Sequence, residues 1–235
     1  MNFSIIIPIF NEELNLTKLV DEIFLYLTDY KKNFELILVN DNSKDNSLIE
    51  IIKLKNKYPE IIKFIDNSKN LGQSYSLLEG IKISSYKTIV TLDGDGQNNP
   101  KDIPLLLGKY FMDEKLFLVG GIRINRKDSF IKIISSKIAN SLRRYILKDD
   151  CTDTGCSLKV FDKEIFMKFP FFNGIHRFLP ALYKGYGMKT NFINVDHRHR
   201  VYGISKYGTF NRLFKGIKDL IKVYRIIRTF RNNST

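Results

Sequence analysis

The first 95 residues alternate between short apolar runs and longer segments in which apolar residues recur every three or four positions. The short runs are rich in β-branched residues and almost uniformly apolar, which predicts buried strands rather than half-exposed edge strands. The longer segments have the periodicity of amphipathic helices. The predicted strands are 3–9, 34–39, 61–65 and 88–92, and the predicted helices are 12–28, 47–57 and 72–84. This alternation predicts an α/β fold, with a mostly parallel sheet and helices on both of its faces.

The pattern beyond this region predicts further elements but no second core. A helix is expected at about 128–147, a turn at 152–155, a strand at 191–195 and a terminal helix at 209–231. There is no internal repeat and no linker-like composition. We therefore expect one large domain, residues 1–207, followed by a basic amphipathic helix and tail, residues 208–235.

Polar residues follow three of the predicted strands, at 10–13, 40–45 and 93–97. In open α/β sheets, ligands bind beyond the carboxyl ends of the strands. No glycine-rich phosphate loop opens the first helix, which argues against a dinucleotide-binding Rossmann enzyme and a P-loop NTPase. Asp41 lies nearest its strand end and is placed to accept hydrogen bonds from a base or a ribose. Ser43 and Asp45 suit capping of the next helix.

Asp93 and Asp95 directly follow the fourth predicted strand. Residues two apart on a strand face the same side. Two carboxylates there make a hard oxygen site suited to Mg²⁺ or Mn²⁺, and Gly94 and Gly96 leave room for a ligand close to the backbone. The alternative is an acidic turn that caps the next helix, near Pro100. The position at the end of a buried strand favours the metal site.

The formal net charge of +13 indicates a partner that carries phosphate: nucleic acid, anionic lipid or nucleotide. The alternative is a lysine-rich surface without a binding role. Cys151 and Cys156 are too few for a disulfide scaffold or a zinc site, so reduced thiols are expected. No segment has the layout of a signal peptide, and no run approaches the ~18–20 apolar residues of a spanning helix. A cytoplasmic protein is expected.

Several motifs, in order along the chain, resemble glycosyltransferase family 2, and within it the dolichyl-phosphate mannosyltransferase-like branch, which glycosylates polyprenyl phosphates. The motifs are Pro8-Ile9-Phe10-Asn11-Glu12, Asp41-x-Ser43-x-Asp45, Asn70-x-Gly72, Asp93-Gly94-Asp95-Gly96-Gln97, Gly121-Ile122-Arg123, Ser136-Lys137-x-x-Asn140, Asp153-Thr154-Gly155-Cys156, His176-Arg177-Phe178 and Arg200 to Tyr207. The ordered set covers essentially the whole catalytic chain. Two departures stand out: Asn40 replaces a frequent aspartate, and Gly94 and Gly96 replace commoner Ala and Leu.

The resemblance implies a GT-A fold and a role for each matching residue. The metal and the donor diphosphate would be held by Asp93, Asp95 and Gln97. The nucleoside would be held by Asp41 and by the segment that contains Pro8, Phe10 and Glu12. Donor or lipid phosphate would face Arg123, Lys137, Arg200, Ser205 and Lys206. The residues expected to carry catalysis are Asp95, Arg123, Lys137, Arg200 and Lys206. The acceptor side would be lined by Asp153, His176 and Arg177.

The implied reaction is an inverting transfer of a hexose from a UDP- or GDP-sugar to undecaprenyl or dolichyl phosphate. The acceptor phosphate is already an anion at neutral pH, so no general base is assigned. The barrier lies in bringing anions together and stabilising the departing nucleotide diphosphate, which a divalent cation and basic side chains provide.

Two alternatives remain at this point. A family 2 enzyme with a hydroxyl acceptor would need a base, for which the sequence offers no convincing candidate. A nucleic-acid-binding protein would fit the charge, but the sequence contains no recognisable module of that kind.

The predicted terminal helix is both basic and amphipathic. Its apolar positions are Leu213, Phe214, Ile217, Leu220, Ile221, Tyr224 and Ile227. Basic residues cover much of the remaining surface. Such a helix can lie in the headgroup region of an anionic membrane, which predicts peripheral attachment to the inner face of the cell membrane, or docking to a membrane protein. The alternative is that the apolar stripe packs on the catalytic domain.

Overall fold

The computed structural model describes residues 1–30, 33–124, 140–200 and 209–233, with side chains from residue 216 onward in the last segment. These residues form a seven-stranded sheet in the order β3-β2-β1-β4-β6-β5-β7. The strands are β1 (Phe3–Ile9), β2 (Phe34–Asn40), β3 (Ile62–Asp66), β4 (Thr88–Thr91), β5 (Leu116–Arg123), β6 (Lys159–Asp162) and β7 (Lys189–Val195). The predicted α/β fold with a mostly parallel sheet is confirmed.

The sheet divides into a parallel part and a mixed part. β1 pairs in parallel with both β2 and β4, and β2 pairs in parallel with β3. β6 is antiparallel to both of its neighbours, β4 and β5, while β7 is parallel to β5. The carboxyl ends of β1, β2 and β4 therefore meet at one edge of the sheet, where the predicted site lies.

Helices cover both faces of this sheet. They are α1 (Glu13–Tyr26), α2 (Ser47–Lys57), α3 (Gln73–Ile83), α4 (Ile103–Phe111), α5 (helical residues 140–147), α6 (Lys163–Phe166), α7 (Leu179–Gly185) and α8 (Thr209–Asn233). One hydrophobic cluster joins α1, α2 and α4 to the sheet, and a second joins α3, α7 and α8 to it. Among the described residues, no helix combines the length and apolar composition that crossing a bilayer requires.

The two clusters explain why β1 and β2 are almost uniformly apolar. Along β1, Ile5 and Ile7 belong to the first cluster while Ile6 belongs to the second. Side chains alternate between the faces of a strand, so a strand covered on both faces is apolar at every position. Cys151 and Cys156 are both buried free thiols, as expected.

The prediction for the run at 61–65 was wrong in one respect. This run forms β3, but β3 lies at the edge of the sheet and both Lys63 and Phe64 are exposed. Its apolar residues made it look like a central strand, whereas its single neighbour β2 leaves one side of it uncovered. The sequence analysis also did not identify α4, β5, β6 or α7.

Helix α8 carries two apolar stripes rather than one. Leu220, Val223 and Ile227 are buried in the second cluster. Ile217, Ile221 and Tyr224, which the pattern placed on the same face, are 45%, 49% and 45% exposed. The helix thus packs on the domain through one stripe and presents the other to the surroundings. The predicted contributions of Leu213 and Phe214 lie outside the described side chains.

Candidate active site

The turn after β1 is fixed by hydrogen bonds to the loop after β2. The amide of Asn11 donates to Ser43 Oγ over 3.0 Å, and the amide of Lys44 donates to Asn11 Oδ1 over 2.7 Å. Asn11 has a φ of 54°, a left-handed conformation that asparagine tolerates better than most residues. The amide of Glu12 donates to Ser47 Oγ over 2.8 Å. The segment from Pro8 to Glu12 is therefore held rigidly against the loop that contains Asp41.

Asp41 is buried and organises a third loop. Its carboxylate accepts hydrogen bonds from the amides of Leu71 and Gly72 over 2.9 and 2.8 Å, and from Asn67 Nδ2 over 3.2 Å. Gly72 has a φ of 88°, which favours glycine. Asp41 thus shapes the wall in front of α3, and its remaining lone pairs can still accept a hydrogen bond from a nucleoside.

Asn40, the departure from the family pattern, has a structural explanation. Its Nδ2 donates to Asp66 Oδ1 over 2.7 Å, and its Oδ1 accepts from the amide of Ser43 over 3.2 Å. An aspartate at position 40 could not donate to Asp66, and its charge would face another carboxylate. Asn40 and Asp66 are thus matched to each other.

Asp93 lies at the carboxyl end of β4 and is largely enclosed by protein. Burial raises the pKa of Asp93 to about 6, with a further increase from the negative charge of Asp95; a hydrogen bond with Ser157 and the charges of Lys159 and Arg123 oppose this. Gln73, at the start of α3, donates to Asp93 Oδ1 over 2.7 Å. Two carboxylates that repel each other in a partly dry site are a suitable donor set for a divalent cation.

Asp95 and Gln97 lie in a turn that is joined to the segment 197–200. The backbone amide of Gln97 donates to Asp95 Oδ1 over 3.1 Å. A β-bridge between Asn98 and His197 and a 2.9 Å hydrogen bond from the amide of Arg198 to Gln97 O tie the two stretches together. Arg200 Nη2 is consequently 3.4 Å from Asp95 Oδ2. The structure thus brings the carboxylate of Asp95 and the guanidinium of Arg200 together.

Arg123 and Asp153 form a bidentate ion pair. Arg123 Nε and Nη2 donate to the two carboxylate oxygens over 2.7 and 2.8 Å, and the Arg123 amide donates to Asp153 Oδ2 over 3.2 Å. A Cβ at position 155 would lie 2.6 Å from Arg123 Nη2, so Gly155 is required for this approach. The pair joins two regions that the sequence analysis assigned separately to phosphate and to the acceptor.

His176 and Arg177 both contact other parts of the chain. His176 Nδ1 is 2.6 Å from Ser74 Oγ, next to Gln73 at the start of α3. Arg177 Nη2 donates to Asp219 Oδ2 of α8 over 3.0 Å. His176 thus contacts the residue that follows Gln73, and Gln73 binds Asp93. Arg177 instead connects the domain to α8.

Three predicted residues, Lys137, Ser205 and Lys206, lie outside the described residues. Within the described part of the chain, no group of three or more His, Cys, Asp and Glu side chains could hold a metal ion. A cation at Asp93 and Asp95 would therefore need ligands of other kinds, such as the Gln97 amide oxygen, water or phosphate oxygens.

Sequence reasoning missed Gln73 and Lys159. Gln73 directly follows the Asn70-x-Gly72 motif, so its place at the start of a helix behind a strand end was a usable signal. Lys159 is buried on β6, where its charge lowers the pKa of Asp93. No local signal marks Lys159, because β6 reaches β4 only through long-range antiparallel pairing.

Comparison with known proteins identifies the same family as the motifs do. Residues 4–169 match the model of Glycosyl transferase family 2. The chain is 35% identical, over 97% of its length and 68% of the relative's, to dodecaprenyl-phosphate galacturonate synthase of Rhizobium johnstonii. It is 33% identical, over 88% of its length and 62% of the relative's, to undecaprenyl-phosphate 4-deoxy-4-formamido-L-arabinose transferase of Shewanella sediminis. The chain thus spans about two thirds of the length of these relatives.

A solved structure supports the fold. Glucosyl-3-phosphoglycerate synthase from Mycobacterium tuberculosis, crystallised with Mn²⁺, uridine diphosphate and phosphoglyceric acid, superimposes with a TM-score of 0.68. The alignment covers 94% of this chain and 76% of that chain at 16% identity. The similarity confirms the predicted GT-A architecture.

Proposed function

The chain belongs to glycosyl transferase family 2, and from this premise we propose that it transfers a sugar from a nucleotide diphosphate sugar to a polyprenyl phosphate at a membrane surface. The names of both relatives specify a polyprenyl phosphate. The observation that carries the proposal is the turn at 93–97 at the carboxyl edge of the sheet, where Asp95 interacts with Asp93 and lies 3.4 Å from Arg200 Nη2. Carboxylates can hold a divalent cation, and the cation and a neighbouring guanidinium can together bind the oxygens of a diphosphate.

The donor set fits a divalent cation. Burial, and then the negative charge of Asp95, raise the pKa of Asp93 to about 6. Mg²⁺ or Mn²⁺ would be held by Asp93 and Asp95, with Gln97 beside them. When bound, the ion would act as a Lewis acid that stabilises the departing diphosphate. Arg200 would add a fixed positive charge on the same side.

A phosphate acceptor suits the acceptor side better than a hydroxyl does. A hydroxyl acceptor needs a base, and Asp153 is the carboxylate that the family pattern places there. Both of its oxygens are bound by Arg123, so Asp153 is poorly placed to remove a proton. A phosphate monoester is already anionic and needs only positioning and neutralisation. Asp153 instead orients Arg123, whose guanidinium contributes positive charge.

The activity test uses the full chain with UDP-sugars and GDP-sugars, Mg²⁺ or Mn²⁺, and undecaprenyl phosphate. We expect a glycolipid product together with release of the nucleotide diphosphate. Asp95→Ala should lower the rate by at least about 100-fold. The matched control is Asp21→Ala, which removes an exposed aspartate of α1 that pairs with Lys57 of α2. Transfer to soluble sugar hydroxyls but not to the lipid phosphate would contradict the proposal.

We also propose that α8 holds the enzyme on an anionic membrane through its exposed stripe, Ile217, Ile221 and Tyr224. Lys218, Lys222, Arg225 and Arg228 flank this stripe and are exposed as well. Apolar side chains can enter the headgroup region while basic ones meet anionic lipid, each basic residue contributing about 1 kcal/mol. Because the buried stripe already fixes α8 to the domain, the exposed stripe is available for lipid.

Vesicle sedimentation tests this attachment without any membrane protein present. The double variant Ile217→Ser and Ile221→Ser should weaken binding to vesicles containing phosphatidylglycerol about 10-fold or more. The matched control is Ile49→Ser and Ile52→Ser on α2, which are 51% and 43% exposed. An equal loss of vesicle binding in both double variants would contradict the assignment of α8 as the membrane-binding surface. Absence of wild-type binding to anionic vesicles would instead favour a protein partner in the membrane.

A further inference from the structure

Glu12 is held in place from three directions at the start of α1. It is only 6% exposed. Its amide is fixed by Ser47 Oγ, and its Oε2 accepts from Asn15 Nδ2 over 2.8 Å. Its other oxygen, Oε1, accepts from Arg200 Nη2 over 2.9 Å. These contacts fix the orientation of the Glu12 carboxylate, with Oε1 directed at Arg200.

Arg200 stands between two carboxylates. The Nη2 atom that meets Glu12 at 2.9 Å is 3.4 Å from Asp95 Oδ2. The closer contact is to Glu12, and the Arg200 side chain is only 20% exposed. Charge interactions at such a partly shielded position are stronger than in bulk water. Glu12 therefore competes with Asp95 for the same guanidinium.

We infer that Glu12 is a positioning residue, which acts through Arg200 rather than by holding the nucleoside. It holds the guanidinium at the rim of the Asp93–Asp95 turn. This inference rests on the proposed function, because Arg200 is taken to meet the donor diphosphate. It departs from the role that the family resemblance implied for Glu12.

The charge of Glu12 has a definite consequence for Asp95. If Glu12 lost its charge, Arg200 would pair more strongly with Asp95, and the guanidinium would compete with a divalent cation for that carboxylate. With Glu12 in place, Arg200 Nη2 stays 3.4 Å from Asp95 while its closer contact is to Glu12. The diphosphate then meets a cation-binding carboxylate and an oriented guanidinium at the same edge.

A double-mutant cycle on nucleotide binding tests the inference. Calorimetry measures the binding of UDP and of GDP in the presence of Mn²⁺ to the wild type, Glu12→Gln, Arg200→Gln and the double variant. Glutamine keeps the size of Glu12 and its acceptor for Asn15. We expect Glu12→Gln to weaken binding of the preferred nucleotide about 10-fold, and to have no further effect in the Arg200→Gln background.

The matched control is Glu22→Gln. Glu22 lies on α1 and also binds the segment 197–200, through a 2.6 Å contact to Arg198 Nη1. The other terminal nitrogen of Arg198 donates to Asn99 Oδ1. A purely structural tether would make both substitutions equally harmful. We expect Glu22→Gln to change nucleotide affinity less than about twofold, with melting temperatures that confirm folding of every variant.

Two outcomes would overturn the inference. Equal weakening by Glu12→Gln in the presence and absence of Arg200 would mean that Glu12 contacts the nucleotide directly. An unchanged affinity in Glu12→Gln would mean that it does not position Arg200. Neither outcome depends on the acceptor. The proposed function is tested separately: it fails if the wild-type protein binds nucleotide but glycosylates no lipid phosphate.

Discussion

Two carboxylates at opposite ends of the parallel strands, buried Glu35 and partly buried Asp93, differ in how the fold treats their charge. Glu35 lies at the start of β2, whereas Asp93 follows the end of β4. Burial raises the pKa of Glu35, but hydrogen bonds from Lys63, Ser4 and the Ser85 amide outweigh it, so the pKa lies below its ordinary value. The pKa of Asp93 is raised to about 6 by burial and by Asp95.

The difference supports a structural role for Glu35 and the proposed binding role for Asp93. Glu35 Oε1 accepts from Ser4 Oγ over 2.6 Å and from the Ser85 amide over 2.5 Å, and Lys63 Nζ is 2.7 Å from Oε2. Its charge is thus compensated by the fold itself. Asp93 faces a second carboxylate, and its contacts within the fold compensate its charge only in part, because its pKa stays above the ordinary value. Carboxylates with raised pKa values cluster at functional sites, so the raised pKa of Asp93 favours a functional site at the carboxyl end of β4.

The largest effect is expected from Asp93→Asn. The substitution keeps the acceptor for Gln73 but removes the charge, so cation-dependent transfer should fall by at least about 100-fold. The free energy of unfolding should be unchanged or higher, because repulsion from Asp95 disappears. Glycolipid formation and urea unfolding are measured on the same preparation. A destabilised variant would mean that Asp93 is structural, like Glu35.

Glu35→Gln should show the opposite pattern. Removing the charge leaves the Ser85 amide with a weaker acceptor and separates Lys63 from its partner. The free energy of unfolding should fall by about 1–3 kcal/mol. Activity per folded molecule should stay at the wild-type level, since Glu35 is at the far end of the sheet. Loss of activity without loss of stability would break the comparison.

Acidification should remove the contribution of Glu35. A carboxylate whose folded-state pKa is lowered stabilises the protein above its unfolded-state pKa, and this stability disappears as the pH falls through the folded-state value. The difference in unfolding free energy between wild type and Glu35→Gln should therefore shrink as the pH falls below the ordinary glutamate pKa of 4.5 and through the lower folded-state pKa. Urea titrations at several pH values measure it. A difference that stays constant with pH would show that the loss comes from packing.

Lys63→Gln should have the smallest effect. The Lys63 side chain is 44% exposed, so water screens its pairing with Glu35. The free energy of unfolding should fall by at most about 1 kcal/mol, and high salt should reduce the difference further. A loss as large as that in Glu35→Gln would mean that the ion pair, rather than the hydrogen bonds from Ser4 and Ser85, stabilises this end of the sheet.

Much of the parallel half could be predicted, and much of the other half could not. The pattern located β1, β2, β4 and the three helices between them to within a few residues, because each is uniformly apolar or has a helical period. It did not locate β5 or β6, since Gly120 and Gly121 interrupt the first and Lys159 begins the second. It identified β3 but misjudged its exposure, because an edge position depends on which strands pair.

The candidate site shows the same limit. The positions of Asp93, Asp95 and Asp41 follow from strand ends, which local sequence marks. The partner of Glu12 does not, because Arg200 lies 188 residues away along the chain. Likewise, the period of α8 predicted an amphipathic helix, but only packing against the domain decided that Val223 faces inward and Ile221 outward.

By itself, the sequence determined the α/β class and the family, and it predicted the edge at which ligands bind, because these depend on local periodicity and on motifs read in order. Tertiary structure decided which charges the fold compensates fully and which it compensates only in part. Compensation depends on groups brought together by strand pairing and by the return of the segment 197–200, and the energy of a charge depends on all its neighbours at once.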